Sequence, residues 1–273
     1  MYNLKRQLLA GPYLLWMAGF ILLPVIMILY YAFTTTSGHF TLLNISSIFA
    51  SIHLKSLFLS LKLALICTGL CLLLSYPLAM ILNKMKEKSQ GFIVFIFILP
   101  MWMNFMLRIL AWKLLLSNNG VINTLLEALG LPALDILNTP SAVVFCMVYD
   151  FLPFMILPIY NAMARIEDDI LEAASDLGAG AVTVFFKIIV PLTMPGVISG
   201  ITMVFVPALT SFAISDLLGG GKVLLIGNVI EQAFMQEYNW NLGSGLSLVL
   251  MIFVIASMAL MSAKGEEGGA GVW

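Results

Sequence analysis

Charge is what this chain has least of: Asp, Glu, Lys and Arg make up 10% of its 273 residues. A soluble domain carries about 25%, so a large water-facing globular core is excluded. The 13 basic and 14 acidic residues nearly cancel, which removes any bulk attraction to nucleic acid or to an acidic partner. Cysteine is scarce too. Cys67, Cys71 and Cys146 all lie in apolar runs, and their spacing offers neither a disulfide framework nor a metal motif. Cys67 and Cys71, four residues apart, share a helix face as small buried groups. The two histidines, His39 and His53, fall in one polar stretch, so no His-x-x-x-His metal pair or Ser/His pair sits at membrane depth. No Gly-x-x-x-x-Gly-Lys-Ser/Thr loop is present, so ATP is not hydrolysed on this chain.

What fills the chain is apolar residues, 61% of the total, with a mean hydropathy of +1.04. About 20 apolar residues carry a helix across the hydrocarbon layer. By that measure the chain is an all-α membrane protein with six spans, about 11–33, 57–82, 91–116, 142–161, 196–217 and 246–263. The first follows Lys5 and Arg6 and imitates a signal peptide, but it is too long for an apolar core of about 7–15 residues and lacks a clear cleavage site. Trp16, Tyr30, Tyr31, Tyr76, Trp112, Tyr160 and Trp240 lie near span ends, where headgroups favour aromatic rings. Pro24, Pro77, Pro100, Pro153, Pro158 and Pro207 fall inside spans and are expected to kink them. Residues 1–264 read as a single membrane domain, and the Gly-rich stretch 265–273 reads as a disordered tail.

With the N-terminus inside, the cytoplasmic segments collect Lys5, Arg6, Lys84, Lys86, Lys88, Arg165, Lys187 and Lys264. The reverse topology would put the Lys84–Lys88 cluster outside, so both termini are expected in the cytoplasm. The outer loops are then 34–56, which holds both histidines as solvated groups, and 117–140. The second contains a short amphipathic piece, Val121–Leu129, closed by Gly130 and Pro132.

One stretch breaks the apolar pattern. Between the fourth and fifth spans, residues 166–195 carry Glu167, Asp168, Asp169, Glu172, Asp176 and Lys187. The first three acids suit the positive end of a helix, and Ile166, Ile170, Ala173, Ala174 and Leu177 recur on one face. Gly178 can end that helix in a left-handed conformation. Thr183 is placed to cap a second helix that Pro191 stops, and Pro195 opens the fifth span. The pattern alone fits either an interfacial connector or a docking element.

Glu172-Ala173-Ala174, three intervening residues, Gly178, nine more, and Ile188-x-Val190-Pro191 resemble the EAA loop of permease subunits in ATP-binding-cassette importers. The usual ending is Ile-x-Leu-Pro, from which Val190 departs. The resemblance implies a type I importer permease fold, with Glu172, Ala173, Ala174, Gly178, Ile188 and Pro191 forming a coupling loop that docks in a groove of a cytoplasmic ATPase. Leu152-Pro153-Phe154-Met155, Asp176-Leu177-Gly178-Ala179, Pro191-Leu192-Thr193-Met194-Pro195-Gly196 and Ser215-Asp216-Leu217-Leu218-Gly219-Gly220 look like spermidine/putrescine permeases. Residues 224–230, LLIGNVI, are similar to their B-type subunit. The implied function is ATP-driven import of polyamines without chemistry on this chain. The implied partners are a second homologous permease, two ATPase subunits that bind ATP and magnesium, and an extracytoplasmic polyamine-binding protein. Import of another small solute and an ion-coupled secondary carrier stand as alternatives, though the second leaves the EAA-like loop unexplained.

A polyamine path needs acceptors for amines and apolar or aromatic walls for methylenes. Asp216, at the end of the fifth span before a glycine run expected to be flexible, is either such an acceptor or a headgroup-level acid. Trp102 and Asn104 follow Pro100 in the third span and are candidates for the same path, although Trp102 fits packing equally well. Asp150 and Arg108 each lie roughly 12 Å below the outer ends of their spans at 1.5 Å per residue. Either they pair as a structural ion pair, or Asp150 faces the substrate.

Overall fold

The computed structural model describes residues 11–85 and 87–270, apart from the side chains of 87–90 and 262–270. Lys5, Arg6, Lys86, the side chains of Lys88 and Lys264, and residues 271–273 therefore lie outside the described residues. The helices are α1 (Gly11–Ala32), α2 (Ser51–Asn83), α3 (Glu87–Trp102), α4 (Phe105–Leu115), α5 (Val121–Ala128) and α6 (Pro140–Met163). They continue as α7 (Asp168–Asp176), α8 (Ala181–Thr210), α9 (Ala213–Gly219), α10 (Ile226–Met235) and α11 (Trp240–Ala270). Among the described residues there is no strand, only an isolated bridge between Thr34 and Phe40. Five helices are long and apolar enough to cross a membrane, and the bent pair α3–α4 makes a sixth candidate.

Several boundaries differ from the sequence expectation. Helices α2 and α11 each begin six residues early, at Ser51 and Trp240, and three further departures are larger. The third span is not continuous: its halves meet at 92°. Pro100 loosens the last turn of α3, and Asn104 starts α4 afresh, its side chain accepting from the backbone N–H groups of Met106 at 2.9 Å and Leu107 at 3.3 Å. The fifth span starts fifteen residues early, at Ala181, and stops at Thr210. Beyond its end α9 starts afresh at the N-cap residue Phe212, whose carbonyl accepts from Asp216 N–H at 2.9 Å and from the Asn228 amide at 3.0 Å. The last helix runs through Ala270, into the stretch expected to be a disordered tail. Extending a helix adds a bond per residue, whereas starting one is costly.

The chain falls into two compact units. One takes in the chain up to Lys55 together with Val229–Ile255. In it, the end of α1 is tied down by amide side chains: Asn44 donates to the Tyr31, Ala32 and Thr34 carbonyls, and Asn241 to those of Tyr31 and Thr34. These bonds serve carbonyls that a helix C-terminus leaves without intrahelical donors.

The other unit takes in Ser56–Asn228 and the chain from Ala256 onward. Its core is α6, whose Cys146, Met147, Met155, Ile156 and Ile159 are fully buried. Helix α8 packs on α6 through Gly196 and Gly200, a small-x-x-x-small spacing that lets membrane helices approach closely. A Cβ at Gly196 would lie 2.5 Å from the Pro158 carbonyl oxygen and 2.7 Å from Ala162 Cβ. At Gly200 its closest neighbour would be the movable Met155 sulfur, at 2.7 Å. Gly196→Ala is therefore expected to cost about 1–3 kcal/mol, the range for overpacking. Gly200→Ala should cost less, and melting of the two purified variants measures the order. Equal melting temperatures would refute this account of the packing.

Candidate functional site: the polar insert and the buried ion pair

Helix α7 opens with Glu167 at its N-cap and Asp168 and Asp169 in the first turn, where acids complement unpaired N–H groups. Asp168, Glu172 and Asp176 recur every four residues and line, with Leu171 and Ser175, a shallow surface hollow of about 360 Å³. Of the motif alanines, Ala173 is exposed and Ala174 is buried. The helix ends in a full Schellman turn: Gly178 N–H donates to Ser175 O at 2.9 Å, and Ala179 N–H to Ala174 O at 3.0 Å. Gly178 has φ +76°, which its lack of a Cβ permits. Just before it, Leu177 is 88% exposed. An acidic ridge thus ends in an uncovered apolar side chain.

Beyond the turn the structure departs from two expectations. Thr183 does not cap a second helix, because Gly180 holds the N-cap position. Pro191 does not stop the helix either; α8 runs straight through Ile188, Pro191 and Pro195. The physical reason is a π-turn at Phe185–Ile189, where Val190 N–H reaches back five residues to the Phe185 carbonyl. The wider turn relieves the clash that a proline ring makes with the carbonyl four residues earlier. This arm is held within its unit by Tyr76, whose hydroxyl lies 2.9 Å from Thr193 Oγ1 and whose ring meets Phe185 edge-on at 5.5 Å.

At the α3–α4 break the structure brings Arg108 and Asp150 together. Arg108 Nε lies 3.2 Å from Asp150 Oδ1, an ionic approach without hydrogen-bond alignment. Asp150 is 1% exposed and Arg108 8%. Arg108 Nη1 donates to the Pro100 carbonyl at 2.7 Å, and the guanidinium carbon sits 5.8 Å from the Phe105 ring centre. Cys146 Sγ donates weakly to Asp150 Oδ2 at 3.7 Å. One guanidinium therefore both answers a buried carboxylate and caps the carbonyl that the break exposes. The sequence suggested the partner but not the carbonyl. The signal for the break was present as Pro100 followed by the N-cap residue Asn104.

The remaining candidates do not cluster with that pair. Trp102 is exposed and packs edge-on against Phe95 at 5.9 Å. The Asn104 oxygen is engaged in capping α4. Asp216 is exposed on α9. The glycine run after it, read from sequence as flexible, forms a left-handed turn. Gly220 and Gly221 have φ +54° and +75°, and a Cβ at Gly219 would lie 2.8 Å from Val223 Cβ. Beneath them sits a network that sequence reasoning missed. Buried Asn228 accepts from Ser215 Oγ and from Leu225 N–H at 3.1 Å, Ser215 also donates to Val223 O at 3.1 Å, and Ser60 Oγ accepts from Ile226 N–H at 2.8 Å. The 224–230 motif is thus a polar knot, signalled only by an asparagine within an apolar run.

Membrane helices interrupted by an exposed acidic helix and a glycine turn define the transmembrane part of a transporter. The chain belongs to the family of binding-protein-dependent transport system inner membrane components, whose pattern matches residues 72–263. It is a multi-pass transport permease subunit and not an enzyme. It is 39% identical over 247 residues to the spermidine/putrescine transport system permease protein PotB of Haemophilus influenzae, covering 88% of this chain and 86% of that protein. To the protein of the same name in Escherichia coli it is 40% identical over 245 residues, covering 87% and 89%. Its fold is that of a chain in a bacterial ABC transporter involved in import of the acidic polysaccharide alginate, with a TM-score of 0.78 at 18% identity, covering 97% and 98%.

Proposed function

We propose that this chain translocates polyamines, spermidine and putrescine, into the cytoplasm as one of two homologous permeases in an ATP-driven importer of a bacterial cell membrane. The observation that carries the reading is the identity of about 40% with spermidine/putrescine permeases, extending over nearly all of both chains. Residues 1–264 act as one permease domain, with both termini in the cytoplasm. A separate pair of ATPase subunits binds ATP and magnesium, and an extracytoplasmic binding protein delivers the polyamine. The coupling element is α7 with its turn: Glu172 offers a carboxylate to a basic partner, Ala173 and Ala174 allow close approach, Gly178 sets the turn, and Ile188 and Pro191 belong to the arm that carries the motion. ATP binding shifts the population of outward- and inward-facing states through differential contacts at this element.

Asp150 serves as a structural partner of Arg108, since both are buried at the break. Exposed Asp216 is the acid of the substrate path, with Trp102 and Asn104 beside the break as further wall residues. The test is uptake of labelled spermidine by the complex reconstituted with its ATPase, second permease and binding protein. Putrescine should compete, and sulfate and neutral sugars should not. Competition by those solutes but not by polyamines would overturn the assignment. Asp216→Asn should raise KM for spermidine about tenfold, the scale of a lost hydrogen bond to a charged group, while an unchanged KM would remove Asp216 from the path.

A further inference from the structure

The end of α1 and the start of α11, both in the first unit, enclose a cavity of about 520 Å³ that no part of the proposed coupling mechanism uses. Its walls include Tyr30, Tyr31, Tyr238 and Trp240, with Glu237 and Asn241 beside them. The Tyr31 ring lies 5.5 Å from that of Tyr30 and 6.2 Å from Trp240, and Phe234 supports Trp240 edge-on at 5.5 Å. Among the described residues, no lysine, arginine or histidine lines the cavity. Read from sequence, Tyr30, Tyr31 and Trp240 are a headgroup belt; in the fold they are walls of one polar pocket.

The hydrogen-bonding state of the pocket selects the sign of its ligand. Of the amides in the lining, Asn241 is engaged, its Nδ2 donating to Thr34 O at 2.6 Å, and Asn44 behind the wall donates to the same carbonyl at 2.8 Å. Thr34 Oγ1 likewise donates to Tyr30 O at 2.8 Å. The carbonyls at the end of α1 are engaged by those same amides, so what remains facing the cavity is the Glu237 carboxylate and the aromatic faces, together with neutral tyrosine and threonine hydroxyls and the Asn239 amide. An ammonium group is a donor without acceptors, and aromatic faces attract it. An anion would meet the Glu237 carboxylate with no cationic side chain in the lining to offset it.

The backbone gives a second indication. Tyr238 has φ +52°, a conformation uncommon for residues other than glycine and costly for a bulky one. It follows the end of α10, where glycine or asparagine is the usual choice. Strain of this kind tends to gather at ligand sites. Holding the ring at the pocket mouth is what a glycine there would forgo.

We propose that this pocket binds the alkylammonium ends of the transported amine, Glu237 taking the charge and Tyr238 and Trp240 covering the methylenes. The proposal rests on the polyamine reading and adds where this chain receives the amine. With the N-terminus inside, the C-terminal end of α1 is extracytoplasmic, the side on which a binding protein releases its load.

The assembled transporter in nanodiscs, without binding protein, is titrated calorimetrically with spermidine, and the same variants are assayed for uptake in the full system. Glu237→Gln and Trp240→Ala should each weaken spermidine binding about tenfold and raise KM for uptake. Glu237→Asp should recover part of the loss. Tyr238→Gly should melt higher than wild type yet bind spermidine more weakly, a combination that a purely structural tyrosine would not give. If the wild-type complex imports spermidine while Glu237→Gln and Trp240→Ala bind and import it normally, the pocket proposal fails and the polyamine reading stands. If wild type neither binds nor imports spermidine, the polyamine reading itself fails. Equal binding of a neutral diol of matching length would overturn the selection for amines.

Discussion

A complex carrying Gly178→Val is expected to hydrolyse ATP while importing little or no spermidine, with its membrane spans still inserted. At φ +76° the glycine sits in the left-handed region, where an L residue costs roughly 1–2 kcal/mol and a β-branched one is worse placed still. A Cβ there would meet nothing within 4 Å, so the damage comes from the backbone alone. The Schellman bonds to Ser175 and Ala174 loosen, and the acidic face of α7 loses its fixed orientation toward a partner. Asparagine tolerates the left-handed region, so Gly178→Asn should keep most of the transport. Glu172→Lys should uncouple by another route, reversing the charge on a ridge shared with Asp168 and Asp176. Paired measurements of ATP turnover and uptake in proteoliposomes decide the matter. Normal import by Gly178→Val would sink the assignment of this loop as the coupling element.

Asp150→Ala should be the most damaging single change within the membrane-spanning part. It leaves Arg108, itself almost fully buried, without its counter-charge, and breaking a buried pair from one side typically costs about 3–5 kcal/mol. Asp150→Asn keeps the volume and an acceptor and should fall between alanine and wild type. The double variant Arg108→Met with Asp150→Leu removes both charges and should regain most of the lost stability. It also loses the 2.7 Å bond to the Pro100 carbonyl, which keeps its bond from Met103 N–H at 3.2 Å, so the residual deficit should be about 0.5–1.5 kcal/mol, the scale of one hydrogen bond. Melting and yield of the purified complex test the series. If Asp150→Ala melted like wild type while spermidine affinity changed, the pair would not be structural and Asp150 would belong to the substrate path.

Much of this was legible beforehand because lipid imposes a strong rule: backbone polar groups must be satisfied within the segment. Apolar length alone located α1 and α6 to within two residues at each end, and the C-terminal end of α2 to within one, while α2 and α11 each start six residues before the expected span. The positive φ at Gly178 followed from a glycine just past an amphipathic run. What sequence could not give was the fate of prolines. Pro100 read as a kink within a span and Pro191 as a helix stop, yet the first precedes a break and the second sits in an unbroken helix. The difference lies in how each neighbourhood repairs the lost bond: Asn104 and Arg108 stabilise a new start, whereas a π-turn absorbs the second ring. The Ser215–Asn228 network was hidden for a similar reason. Its partners come from separate segments, and no periodicity records which carbonyl an asparagine will reach.

The unbroken run of α8 through Pro191 has a mechanical consequence. Its thirty residues make a rod about 45 Å long at 1.5 Å per residue, starting two residues after the Gly178 turn. No slack loop separates α7 from the membrane-spanning stretch, so on the coupling role proposed above α8 would work as a lever instead of a tether. A tilt of about 5° imposed near Ala181 would carry the far end of a rod that long by about 4 Å. Movement proposed at one surface would then arrive at the other as displacement, with the π-turn and the interior prolines Pro195 and Pro207 as places where the shaft can give.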